Sequence, residues 1–262
     1  VTASLPAGGR PAPLDRQPLV SVIVVSYNPG PCLKFCLDDL REEGLESPLE
    51  VLVLDNASTD GSFERVCSLH PWASYHKNPC NLGFARACNQ GLAAARGRYL
   101  MLLNPDTRLK PGALAELAGY LERRPEVGAV GPKILDPEGT AQYSARSAQG
   151  PLAFLFNRYS LLTRLWPGNP VSRRYLLSHW DHDSEREVDW LSGAALMVRR
   201  EAVAAAGLMD EGFFLFHEDV DWCKRIQRAG FRIMFHPAAV VEHRIGISAD
   251  KGSIRLLAVR HR

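Results

Sequence analysis

The segment that most restricts what this chain can become is Leu19 to Ser26, LVSVIVVS, which stays apolar or small until it meets Tyr27-Asn28-Pro29-Gly30. A β-branched run without polar alternation has no wet face. It reads as a strand buried on both sides, as in the centre of a parallel sheet, and the Asn-Pro-Gly turn stops it. From Pro31 to about Glu43 the period changes, with Leu33, Leu37 and Leu40 at helical spacing and Pro31 tolerated in the first turn.

The alternation then recurs. Leu49 to Leu54 is apolar and ends at Asp55, Gly61 to Leu69 is helical in pattern, and Tyr99 to Leu103 is apolar and ends at Asn104-Pro105-Asp106. Alternating strands and helices predict an α/β fold with a doubly wound, mostly parallel sheet. Ligands of such sheets bind beyond the carboxyl ends of the strands, which is where Ser26 to Asn28, Asp55 to Asp60 and Asn104 to Asp106 fall. A composite site is expected there.

The chain has 262 residues, 46% of them hydrophobic, enough for one large domain with its own core. Its net charge of +2 comes from 31 basic and 29 acidic residues spread along the sequence, which argues against a nucleic-acid partner. Six cysteines show no CxxC pair, so reduced thiols of a cytoplasmic protein are expected, with Cys32 and Cys36 as small apolar residues on one helix face rather than zinc ligands. Residues 1 to 18, rich in Pro, Gly and Ala, read as a flexible tail. No run approaches the roughly 18 apolar residues of a spanning helix. Gln142 to Glu187 reads as a long loop with helical pieces, one near Leu152 to Leu165. An apolar stretch (Ala194 to Val198) and a helix from Arg200 follow.

Several positions have two readings each. Asp55 sits where a strand meets a turn-rich loop: its carboxylate suits the imide N–H of uracil or thymine, and equally suits capping its own loop. Asp106 projects past a strand stiffened by Pro105, where one carboxylate together with substrate phosphates holds Mg²⁺ or Mn²⁺; Asn-Pro-Asp is also an ordinary turn. Arg86, in the small-residue stretch Asn81 to Gly91, is in reach of a phosphate, or else the small residues serve helix packing. In His217 to Arg225, Val220, Cys223 and Ile226 mark a buried face and leave Asp219 and Trp222 on another. Asp221 pairs with Arg225 at i, i+4, Glu218 suits the helix dipole, and Asp219 is the candidate general base. His243 is a metal or diphosphate ligand, or a packing residue. Trp190 is a sugar platform or a core residue.

Taken in order, VSVIVVSYN, VLDNASTDGS, NLGFARACNQG, LLNPDT, DWLSGAALMVRR and HEDVDWCKR resemble the family-2 inverting glycosyltransferases of GT-A fold, in their rhamnosyltransferase-like subgroup. The resemblance covers about Leu19 to Ser248. It implies a nucleotide-binding half over residues 19–110 and an acceptor-binding half over 111–248. Tyr27, Asn28, Asp55, Arg86, Asn104 and Asp106 would then serve a dTDP- or UDP-linked donor, with Asp106 and His243 on a Mg²⁺ or Mn²⁺ ion. Trp190 and Glu218 would face a glycan or glycolipid acceptor, and Asp219 would remove the proton in a direct, inverting displacement. Asn104 stands where the family's DxD motif has its first acid, which leaves strict metal dependence open.

Two rival functions remain at this stage. A sugar nucleotidyltransferase would want a glycine-rich, Arg/Lys-bearing loop near its start, which is missing. A nucleotide-sugar-binding pseudoenzyme would not need Asp55, Asp106 and Asp219 together. The basic end, residues 249–262, reads as the start of an amphipathic segment, suited to the inner face of a membrane or to packing.

Overall fold

The computed structural model describes residues 18–43, 48–147, 164–166, 169–171, 175, 177 and 180–244. The expected tail but for its last residue, the helical piece near Leu152 to Leu165 in all but its last two residues, and the basic end lie outside them.

The non-alternating run becomes β1 (Val20–Ser26), paired in parallel with β2 (Leu49–Asp55) on one side and β4 (Tyr99–Leu103) on the other. Short β3 (Ser74–Lys77) adds to β2 at one edge. Past β4 the sheet continues through β10 (Ala195–Arg199), β6 (Val127–Leu135), β11 (Arg232–His243) and β5 (Thr107–Leu109), with β8 (Arg186–Glu187) also on β11. The strands β3, β2, β1, β4, β6 and β11 run one way, while β10, β5 and β8 run against them. A two-stranded ribbon, β7 (Ala145–Arg146) with β9 (Trp190–Leu191), stands apart.

Alternation along the central strands supplies two cores. Val20, Val22 and Val24 point to one face with Tyr99, Met101 and Leu103, against α1 (Cys32–Glu42), α2 (Ser62–Leu69) and α4 (Ala113–Arg123). Ile23 and Val25 point to the other with Leu100 and Leu102, against α3 (Phe84–Ala94), α5 (Arg200–Ala206) and α6 (Glu218–Arg228). Burying a Val, Leu or Ile side chain is worth about 1.5–3 kcal/mol, and the period of two delivers that gain on both faces of one strand. Cys32 and Cys36 join Leu33, Leu37 and Leu40 on the buried face of α1, as their spacing predicts. A Cβ on Gly91 would collide with Ile23, so α3 sits on β1 only because that residue is glycine.

The sheet is mostly parallel, as expected; two of its features go beyond the sequence reading, and the face of Trp222 needs correction. The winding is interrupted: the long segment after β6 returns the chain at the carboxyl end of β4, so β10 runs antiparallel between β4 and β6. His243 ends a long strand, β11, whose register on β6 slips between His236 and Val240. In α6 the buried stripe is Glu218, Trp222, Cys223 and Ile226, whereas Val220 is half-buried. Trp222 turns inward because its indole fills the second core and its Nε1–H donates to Gly207 O at 2.8 Å.

Candidate active site

The carboxyl ends of β1, β2 and β4 form one rim. Ser26 and Asp55 are register partners across β1 and β2, so the loops that follow them begin side by side. Those loops are laced together. Asn28 N–H donates to Ser58 Oγ (2.9 Å), Thr59 N–H to Asn28 Oδ1 (2.8 Å), and Gly30 N–H to Asp60 Oδ2 (2.8 Å). Asn28 adopts φ 47°, a left-handed conformation that Asn tolerates better than most residues.

Asp55 is fully buried, and its carboxylate accepts Ser58 N–H at 2.9 Å and Ser58 O–H at 2.5 Å. The capping geometry is therefore present. Beneath it lies an amide network that sequence reading missed. Asn56 donates to Gly83 O (3.1 Å), Asn78 donates to Asn56 Oδ1 (2.9 Å), and Gln90 donates to Asn78 Oδ1 (2.9 Å). Buried amides bonded this way hold the loop after β2 to α3. Half-buried Tyr27 stands at the same rim. Arg86 is engaged elsewhere, its Nε–H donating to Glu211 Oε2 at 2.9 Å.

After β4 the chain turns at Asn104, whose N–H donates to Ala194 O at 2.9 Å and so joins the β4 and β10 ends of the rim. Asp106 is buried, with Oδ1 3.3 Å from His243 Nε2 at the end of β11; Asn104 Nδ2 lies 3.4 Å from the same nitrogen. Gln142, in the chain that follows β6, flanks His243 from the other side, with Oε1 3.1 Å from Nδ1 and Nε2–H donating to the His243 carbonyl at 2.7 Å.

Across the rim, two consecutive residues before α6, Phe216 (φ 70°) and His217 (φ 72°), lie in the left-handed region with bulky side chains. Such conformations cost about 1–3 kcal/mol each and persist only where the surroundings hold them. Here Phe84 N–H donates to Phe214 O at 2.8 Å, and Gly83 lies so close that a Cβ would stand 2.6 Å from that oxygen.

The strained turn presents Glu218 and Asp219 at the first turn of α6. Asp219 accepts Gly193 N–H at 3.1 Å on Oδ2 and Val220 N–H at 2.8 Å on Oδ1. Burial raises its pKa above the ordinary 3.8, and the two N–H groups oppose that shift. Glu218 is buried. Its pKa is pushed from 4.5 up to about 8, by desolvation first and the neighbouring Asp219 second, and among the described residues its Oε2 has no hydrogen-bond partner.

Trp190 is buried in the second core, 8% exposed. The Arg146 guanidinium, another group sequence reading missed, lies over its ring at 5.0 Å and over Tyr175 at 5.6 Å. The structure thus brings Asn104, Asp106 and His243 into contact and places Asp219 beside Gly193, one residue from the Ala194 carbonyl that Asn104 holds. It keeps Tyr27, Asn28 and Asp55 at the neighbouring strand ends and turns Arg86 to Glu211.

Among the described residues no three His, Cys, Asp or Glu side chains cluster as a metal cage. The donor set still suits a divalent cation. His243 Nε2 and Asp106 Oδ1 face each other, one imidazole nitrogen and one carboxylate oxygen, a pair of donors that a cation between them would join. Adjacent ligands on an octahedral ion at about 2.1 Å stand roughly 3 Å apart, close to the 3.3 Å seen. Two side chains leave coordination positions for phosphate oxygens and water.

The family model of Glycosyl transferase family 2 matches residues 21–180. An N-acetylglucosaminyl-diphospho-decaprenol L-rhamnosyltransferase of Mycobacterium tuberculosis is 33% identical over 255 residues, covering 93% of this chain and 82% of that protein. Among solved structures, GalNAc-T7 with UDP, GalNAc and Mn²⁺ superposes with a TM-score of 0.63 at 16% identity, over 88% of this chain and 44% of that one. A mannosyltransferase of Pyrobaculum calidifontis in complex with GDP-Man and Mn²⁺ gives 0.59 at 23% identity, over 98% and 64%. At such identities the likeness is one of fold, and the fold is GT-A.

Proposed function

Because this chain belongs to glycosyl transferase family 2, we propose that it moves a rhamnosyl group from a dTDP- or UDP-linked donor to a hydroxyl of a diphosphate-linked glycolipid, with inversion. The observation that carries this reading is the placement of a half-buried carboxylate, Asp219, across one rim from the Asp106 and His243 pair. An acceptor and a donor diphosphate would then take separate ends of that rim.

Asp219 acts as the general base. Burial makes its carboxylate more basic than a solvated aspartate, and Gly193 and Val220 N–H groups aim it without neutralising it. The proton leaves the acceptor hydroxyl for Asp219 as the oxygen bonds to the sugar's anomeric carbon and the nucleoside diphosphate departs with the bonding pair. One in-line base accounts for inversion; a second carboxylate placed as nucleophile is not needed. Asp106 and His243 would hold Mg²⁺ or Mn²⁺, and the ion would supply positive charge to offset the negative charge growing on the departing diphosphate.

Tyr27, Asn28 and Asp55 line the nucleoside end, on residues 19–110. Arg86 serves the diphosphate once released from Glu211. Residues 111–248 carry the acceptor side, where Glu218 and Trp190 form the wall. Arg146 supplies a stacked cation suited to the acceptor's own diphosphate, the linkage named in the mycobacterial relative. No helix of the described residues is long and apolar enough to cross a membrane.

Calorimetric titration with dTDP and UDP, with and without Mn²⁺, tests the donor half. Metal-dependent binding is expected, tighter for the cognate base. Binding of neither nucleotide would remove this reading of the rim. Transfer from the cognate rhamnosyl donor to an N-acetylglucosaminyl-diphospho-polyprenol, with the product's anomeric configuration read by NMR, tests the rest.

A further inference from the structure

We propose that Gln142 is a positioning residue for metal binding: its side-chain amide sets the tautomer of His243 and turns the unprotonated Nε2 toward Asp106. The proposal rests on the metal reading above and adds a residue that neither the motifs nor the relatives assign.

The argument is one of donors and acceptors. A backbone carbonyl only accepts, so the Gln142 atom 2.7 Å from His243 O is the amide nitrogen. The amide oxygen is then the atom 3.1 Å from His243 Nδ1, and an amide oxygen only accepts. Nδ1 therefore carries the hydrogen, and a neutral imidazole has its lone pair on Nε2, the nitrogen 3.3 Å from Asp106 Oδ1. Asn104 Nδ2 at 3.4 Å is a weak donor to that lone pair and does not compete with a cation. An amide gripping a histidine at both its ring and its own carbonyl leaves the ring no freedom to flip.

The clamp is itself braced. Gln142 N–H donates to Ile134 O at 2.8 Å, and Ser144 N–H donates to Gln142 O at 2.7 Å. Ile134 is the register partner of Val241, two residues before His243. The turn after β6 is closed by Thr140 N–H donating to Asp136 Oδ1 at 2.7 Å and Asp136 N–H to Thr140 O at 2.9 Å. The position of Gln142 is thus set by the β6 and β11 pairing. Outer partners that orient a metal-bound histidine typically change affinity by about 10–100-fold when lost.

Two readouts test this on the full chain, compared with Gln142→Leu and Gln142→Glu. Nitrogen-15 NMR of the imidazoles in metal-free protein at about pH 8.5, above the ordinary imidazole pKa, reports the tautomer; His243 is assigned by its absence in His243→Gln. Mn²⁺ titration in the presence of the nucleoside diphosphate reports affinity without turnover. The wild type is expected to show the Nδ1–H form. Gln142→Leu should lose it and bind Mn²⁺ about 10–100-fold more weakly. Gln142→Glu keeps an acceptor for Nδ1–H but loses the donor to the His243 carbonyl, so it should recover the tautomer and only part of the affinity, a split that a merely structural role does not predict. A wild type that binds Mn²⁺, with Gln142→Leu binding it equally well, overturns the role of Gln142 and leaves the metal reading standing. A wild type that binds no Mn²⁺ with either nucleotide overturns both.

Discussion

The backbone N–H of Gly193 donates to Asp219 Oδ2 at 3.1 Å, so the start of β10 aims the carboxylate at the head of α6. A carboxylate held from the sheet side by Gly193 and from its own helix by Val220 N–H keeps its direction, as a general base must. Asp219→Asn keeps the shape and one acceptor oxygen but removes the basic lone pair. Transfer should fall by at least about 10²–10⁴-fold, the usual worth of a general base. Nucleotide affinity by calorimetry should stay within about twofold, because Asp219 acts on the acceptor. Undiminished turnover would remove it from the mechanism.

Asp106→Ala deletes one of the two side chains assigned to the cation. Nucleoside diphosphate binding should lose its dependence on Mn²⁺, with affinity in the metal's presence falling to the metal-free level. A variant whose donor affinity and metal response both stay normal contradicts the assignment.

Glu218 links pH to stability. Its folded pKa of about 8 lies above the ordinary 4.5, so between those values the folded state holds a proton that the unfolded chain releases. Stability from this group is therefore present below pH 4.5 and is lost as pH rises through about 8. Glu218→Gln, permanently neutral, should flatten that decline and raise the melting temperature relative to wild type at pH 8.5. Equal melting curves of the two proteins across this window would show that Glu218 is not buried as charged or neutral in the manner described.

Gly83→Ala tests the coupling between α3 and the loop before α6. At φ 85° and with Phe214 O 2.6 Å from the new Cβ, the substitution forces the two loops apart. A loss of about 1–3 kcal/mol in chemical denaturation is expected, with activity falling further than stability because the turn carrying Asp219 moves.

Arg146→Ala should raise the KM for a diphosphate-linked acceptor on the order of tenfold, the worth of one charge-assisted pair, and leave donor affinity unchanged. A shift confined to the donor would place Arg146 on the other substrate.

Much of the site was legible because its residues terminate strands. Asp55 ends β2 and Asp106 lies just past the end of β4, both after runs whose hydrophobicity can be read directly, and the β1 and β4 limits follow from those runs. The face of Trp222 was misread because a helical stripe gives the period and not which of two neighbouring stripes faces inward; the indole bond to Gly207 decides that. The amides of Asn56, Asn78 and Gln90 gave no warning, since an Asn in a turn-rich loop is expected anyway. Gln142 and Arg146 sit in a segment without periodicity.

The order of strands, helices and polar strand ends was determined by local chemistry: runs long enough to bury, periods of two or 3.6, and Pro or Asn where they stop. Tertiary structure alone decided the antiparallel entry of β10, the meeting of Asp106 with His243, and the grip of Gln142 upon it. Those contacts join residues far apart in the chain. Pairing of β5 with β11 sets His243 beside Asp106, pairing of β6 with β11 brings Gln142 to it, and local sequence preference carries no record of which strands will pair.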